Sequence, residues 1–285
     1  VISISQSLRI FLTISTPLLF GSCTQESASQ SPLSSGDLHN SQRAAGGTVS
    51  RGKDLNAPAN MLSNSTLSSS EIEVVIRNAM NTAYGANNFD VSRSCWKYEF
   101  QTGGEPLNYC MTGAVSKVST DPDGTKIYVQ AHSDPQAEIY SQVDPGLEGL
   151  FVVSLSDDKK FKVLAAKPAI DMGQAGDCGC LDAKIIQAGP TRYGWLSTTG
   201  GIWQGVQVTR YSLQVPVGGE IREVSGIPRT SENTPGESND LNVKTDGQVV
   251  AGVYPLEVTR KRGKAILETR LVAYDEAKGI YSWDP

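Results

Sequence analysis

Five cysteines and two histidines limit the chemistry open to this chain of 285 residues. The most unusual spacing is Cys178-Gly179-Cys180. A bond inside that triplet closes a very small ring, which makes a disulfide easy to reduce and suits thiol–disulfide exchange. The same two sulfurs could instead bridge separately to Cys95 and Cys110, or all four could hold zinc as thiolates. Zinc fits least well, because Cys-x-Cys is not the usual ligand spacing. A redox enzyme more often places Cys-x-x-Cys at a helix N-terminus, where the dipole lowers a thiol pKa. Here Gly173, Gly176 and Gly179 predict an irregular loop, so structural pairing is the expectation. Cys95 and Cys110 flank Gly103-Gly104-Glu105-Pro106, between stretches 95–101 and 107–111 that both have strand character. A hairpin would bring these two sulfurs together, and the bridge would contribute about 3 kcal/mol by loop entropy.

Other catalytic sets find little support. His132 is the only histidine beyond residue 39, and no Gly-x-Ser-x-Gly elbow accompanies it. Paired carboxylates, as in a hydrolase, would be dispersed in sequence and single out no residue. The best candidate binding surface is aromatic: Tyr193, Trp195, Trp203 and Tyr211, with Gln204 beside them. A turn at 198–201 would pair the two tryptophans across a hairpin as an apolar platform for sugar rings or a protein. The competing expectation is that alternation turns half of these rings into a core. No residue set calls for a cofactor or a metal.

These residues must be positioned by a mainly β body. One helix is predicted after Ser69 and Ser70, with Glu71 and Glu73 in its first turn and Ile72, Val75, Ile76, Ala79, Met80 and Ala83 as its apolar stripe. Gly85 supplies the stop. Beyond it the pattern has period two, broken by Asp121-Pro122-Asp123-Gly124, Asp144-Pro145-Gly146, Ser156-Asp157-Asp158-Lys159 and Val217-Gly218-Gly219-Glu220. Stretches 249–259 and 265–274 flank the basic tip Arg260-Lys261-Arg262, stretch 229–240 has the composition of a long polar loop, and 280–283 of a last short strand. Ten to thirteen short strands predict an antiparallel sandwich or a curved-sheet, barrel-like domain over 69–285 with one flanking N-terminal helix.

The N-terminal residues carry an address. An apolar run of about 12 residues, 10–21, is too short to span a bilayer and fits a signal-peptide core. It ends in Leu19-Phe20-Gly21-Ser22-Cys23, which resembles the lipobox of bacterial lipoproteins. The resemblance implies a signal peptide over 1–22, lipidation at Cys23 and attachment to a membrane. Thr24, rather than Asp, implies by the same resemblance an outer-membrane location facing the periplasm or the cell surface. With Cys23 lipidated, the four other cysteines can pair completely in an oxidising compartment. Stretch 23–68, dominated by small and polar residues, has the composition of a flexible tether of roughly 35–40 Å mean span. The net charge of −5 disfavours nucleic acid. The function this implies is a non-enzymatic envelope module binding a protein partner or glycan polymer; an exported redox enzyme or hydrolase is the alternative.

Overall fold

The computed structural model describes residues 67–283 except 123, 157, 159, 204, 205 and 232, and leaves the side chains of 201–207 undescribed. Signal peptide, Cys23, His39 and all but the last two tether residues therefore lie outside the described residues, as do the side chains of Trp203 and Gln204. The chain is mainly β with one α-helix, as its periodicity predicts. Helix α1 spans Ser69–Tyr84 and is capped by Ser68, one residue earlier than the sequence suggests. Ser68 and Glu71 form a reciprocal capping box, and the stripe buries Val75, Ala79, Met80 and Tyr84. Gly85 ends the helix at φ 87°.

Ten strands follow in one open sheet: β1 (Phe89–Asp90), β2 (Cys95–Phe100), β3 (Leu107–Asp121), β4 (Gly124–Ser133), β5 (Gly146–Leu155), β6 (Phe161–Met172), β7 (Lys184–Gly189), β8 (Arg192–Trp203), β9 (Val206–Val217) and β10 (Glu220–Glu223). Strands β1 to β6 form a meander of sequential neighbours, and β7 to β10 a second. The second is joined in reverse, so the sheet order is β1-β2-β3-β4-β5-β6-β10-β9-β8-β7. The joint is a parallel pair, β10 on β6 at Glu220↔Ala166; the other named strand pairs among the described residues are antiparallel. Short β11 (Pro228–Thr230) pairs with β9 off this path. A separate three-stranded sheet holds β12 (Glu237–Val243), β13 (Leu256–Arg262) and β14 (Ala265–Val272).

The large sheet curls without closing into a barrel. Its outer face under α1 buries Trp96, Tyr109, Met111, Ile127, Val129 and Phe151. Inside the curl, Tyr128, Leu150, Val152 and Ala165 of the first meander meet Trp195 and Ile221 of the second. The far face of the second meander, with Leu213 and Val215, packs on Leu256 and Val258 of the small sheet and on Tyr281 and Trp283. Alternation along each strand feeds both layers.

Three sequence expectations are corrected. The stretch 198–201 is not a turn: β8 runs through it, pairing Thr198 with Tyr211 and Gly201 with Val208. Gly200, at φ 126°, serves close strand approach, since a Cβ there would lie 2.3 Å from the Val208 carbonyl oxygen. The polar stretch 229–240 is a loop only in its middle: its first residues belong to β11, which pairs with β9 of the large sheet, and its last four to β12, an edge of the small sheet. The residues 280–283 make only isolated bridges, Ser225↔Tyr281 and Asp275↔Ile280.

The β2–β3 hairpin carries the Cys95–Cys110 disulfide, with Cα atoms 5.4 Å apart. It closes a loop of sequence separation 15. The double variant Cys95→Ser/Cys110→Ser is expected to lose about 3 kcal/mol, read as a lower urea midpoint.

Candidate functional site

The connection from β6 to β7 has to pass the ends of β10, β9 and β8, because β7 lies at the far edge of the second meander. Residues 173–183 make that passage and carry the triplet. Cys178 and Cys180 are bonded to each other, with Cα atoms 5.1 Å apart, and neither pairs with Cys95 or Cys110. As disulfides, these four sulfurs supply no thiolate for zinc. Both residues of the pair are buried, at 2% and 0% exposure, whereas Gly179 between them is exposed. The loop backbone lies directly on the start of β5: a Cβ at Gly146 would stand 2.1 Å from the Cys178 nitrogen. Buried Ser133 ties the layers, donating to the Gly176 carbonyl (2.7 Å) and accepting from the Leu147 amide (2.9 Å).

Beneath this loop the inside of the curl is polar. Glu148 is 1% exposed. The Gln130 amide nitrogen donates both to its Oε1 (2.6 Å) and to the Cys180 carbonyl (2.9 Å), so one side chain links carboxyl, strand and disulfide loop. Burial pushes the Glu148 pKa up to about 7; the Gln130 hydrogen bond opposes this, Glu223 raises it further and Lys167 lowers it. Glu223, from β10, accepts from Ser212 (2.5 Å), from Gln214 (2.8 Å) and from the Leu213 amide (2.9 Å). His132 stands opposite Glu148 in register, and its Nε2 meets the Thr112 hydroxyl at 2.9 Å. Burial lowers the His132 pKa below its ordinary value, against the pull of Asp134 and Asp177.

Beside the loop the surface opens. Strand β7 begins to pair with β8 at Lys184↔Leu196, so β8 continues from residue 197 without a partner on that side among the described residues. A cavity of about 360 Å³ occupies the step, reaching Gly179. It presents two cations, Lys184 and Arg229, one carboxylate, Asp182, and the hydroxyl-bearing residues Ser197, Thr198 and Tyr211. Tyr211 donates to the Asn239 carbonyl (2.8 Å), and the Arg229 guanidinium stands beside it. Neither Lys184 nor Arg229 forms an ion pair among the described residues. Such a lining suits a hydroxylated ligand that carries negative charge.

The structure separates the aromatic candidates. Trp195 is 1% exposed, its Nε1 donating to the Ser116 hydroxyl (3.1 Å) and its ring edge-on to Tyr128, so it contributes core and no surface. Its register partner is Gln214, and Trp203 lies eight residues further along the same strand, roughly 27 Å away. A two-tryptophan platform is thereby excluded. Tyr193 is half-buried against Tyr128, with the Lys117 ammonium 5.2 Å from its ring centre. Among the described side chains of the group, Tyr211 alone lines the cavity. Sequence reasoning missed Lys184, Arg229, Gln130 and Glu148. For Glu148 a signal existed in Leu147-Glu148-Gly149-Leu150, a lone carboxylate inside an apolar strand.

No protein-family model, no curated protein and no solved structure matches the chain.

Glu148 makes stability depend on pH. Its folded pKa of about 7 exceeds its ordinary 4.5, so folding takes up protons between these values. Stability then falls as pH rises from 4.5 through 7, by up to about 3 kcal/mol in total. His132 acts in the opposite sense, removing stability as pH falls through and below its ordinary 6.5. Glu148→Gln keeps an acceptor for Gln130 and abolishes the first effect. The difference in urea midpoint between variant and wild type should grow in the variant's favour from pH 4.5 to 8.

Proposed function

We propose that this chain is an exported, lipid-anchored envelope module that binds an acidic glycan of the cell envelope, without catalysing a reaction, in the cavity beside Gly179. The cavity carries the reading: two cations without carboxylate partners among the described residues stand among hydroxyl-bearing side chains, on a step of the sheet that leaves room for an extended ligand. Ring hydroxyls would bond to Ser197, Thr198 and Asp182, and acidic groups to Lys184 and Arg229. The loop disulfide keeps the Gly179 wall in place. Export and anchoring rest on the resemblance of 19–23 to a lipobox, with two disulfides as weak support.

Titration with an oligogalacturonate and with a neutral oligosaccharide of equal length tests the ligand class. The acidic sugar should bind, more weakly as salt rises, and Lys184→Ala/Arg229→Ala should weaken it by roughly tenfold or more. Equal binding of the two sugars, or an unaffected double variant, would overturn the assignment. Growth with radiolabelled palmitate tests the anchor: Cys23→Ser should abolish labelling and move the protein from the membrane to the soluble fraction.

A thiol–disulfide exchange role has one observation in its favour, the buried carboxyl of Glu148 linked through Gln130 to Cys180. Burial of both sulfurs weighs against it, because exchange needs an incoming thiolate to reach sulfur. Thiol trapping after equilibration with glutathione buffers decides: the Cys178–Cys180 bond should stay closed in the folded protein at a glutathione potential that reduces small-molecule disulfides.

A further inference from the structure

Strand β14 is the outer strand of the small sheet, and its outer edge has no partner among the described residues. Its side chains are exposed along almost its whole length, Ile266 at 65%, Leu267 at 43% and Leu271 at 60%. An edge strand carrying apolar side chains is a template for another strand. Two devices restrict what can pair with it. A bulge makes Leu267 the extra residue between Arg260↔Glu268 and Lys261↔Ile266. Glu268 and Arg270 then place opposite charges two residues apart; they pair with each other, and Glu268 also lies 3.2 Å from Arg260.

We propose that β14 pairs antiparallel with β14 of a second copy of this chain, about a two-fold axis through Thr269. The register follows from symmetry. Hydrogen-bonded and non-bonded pairs alternate along an antiparallel ladder, so a two-fold axis can only pass between one residue and its own copy. Centring on Glu268 sets two carboxylates face to face, and centring on Arg270 sets two guanidinium groups face to face. Centring on Thr269 sets Glu268 opposite Arg270 of the second copy, Leu267 opposite Leu271 of the second copy, and threonine opposite threonine. All three pairings are favourable cross-strand combinations. The charges that discourage other strands thus select a copy of their own. The bulge ends the ladder at Leu267, which limits it to residues 267–271.

Engineered cysteines in the full chain test this register. Under mild oxidation Thr269→Cys should give a covalent dimer. Leu267→Cys and Leu271→Cys should not, since each meets the other position in the second copy, whereas the variant carrying both should. Charge exchange supplies an independent readout by analytical ultracentrifugation. Glu268→Arg alone and Arg270→Glu alone should each raise the dimer dissociation constant by roughly tenfold. An equimolar mixture of the two should restore the dimer as a mixed species, because every Arg then faces a Glu. Thermal melts of each variant show that the monomer is intact. A wild-type chain that stays monomeric at all concentrations reached, cross-linking at 267 or 271 alone, or a mixture without mixed dimer would overturn the proposal.

Discussion

One carboxamide joins the parts on which the site depends. Gln130 sits on β4, holds the buried carboxyl of β5 and reaches the carbonyl of Cys180 in the loop that leads from β6 to the far edge of the sheet. A buried carboxyl without a donor would cost several kcal/mol, so the position of Glu148 within the curl is tolerable only with this partner in place. The second bond of Gln130, to the Cys180 carbonyl, fixes the height of the loop above the strands, and the absence of a side chain at Gly146 lets the loop settle there. The wall of the cavity at Gly179 follows from both. Altering the interior at Glu148 therefore acts on a surface that Glu148 does not touch.

Much of the architecture was legible because local chemistry dictated it. Period 3.6 placed α1, proline and glycine placed the hairpin at Asp121-Pro122-Asp123-Gly124, and Gly218 and Gly219 placed the β9–β10 turn. Cysteine spacing on two strand-like halves anticipated the Cys95–Cys110 bridge. Thr198-Thr199-Gly200-Gly201 misled for a physical reason: glycine also serves where two backbones approach, and composition does not distinguish that from a turn. Strands β11 and β12 were hidden because rim strands bury little and so keep polar side chains at most positions.

The site was less legible than the fold. Lys184 and Arg229 are far apart in sequence, and the return of β11 onto β9, two strands from β7, brings them to one cavity with β8 between. Trp195 was a candidate by residue type and became core by parity, since its neighbours on the inward face of β8 meet Tyr128. Tyr211 kept its candidacy because it is only partly buried and lines the cavity, its hydroxyl held by the Asn239 carbonyl. In this chain, strand parity decided which aromatic residues remained available for binding.

The seam between the meanders has a consequence for the order of folding. Strands β1 to β6 each pair with the next in sequence, so their contacts are local and need little loop closure. Glu220↔Ala166, the one registered pair at the seam, waits for the second hairpin set to exist. A chain emerging from its N-terminus can thus complete the helix-covered half first and use it as the surface on which the second half is laid down. The β6–β7 loop, pinned by Gln130 to strands of the early half, would lead the late half to its place.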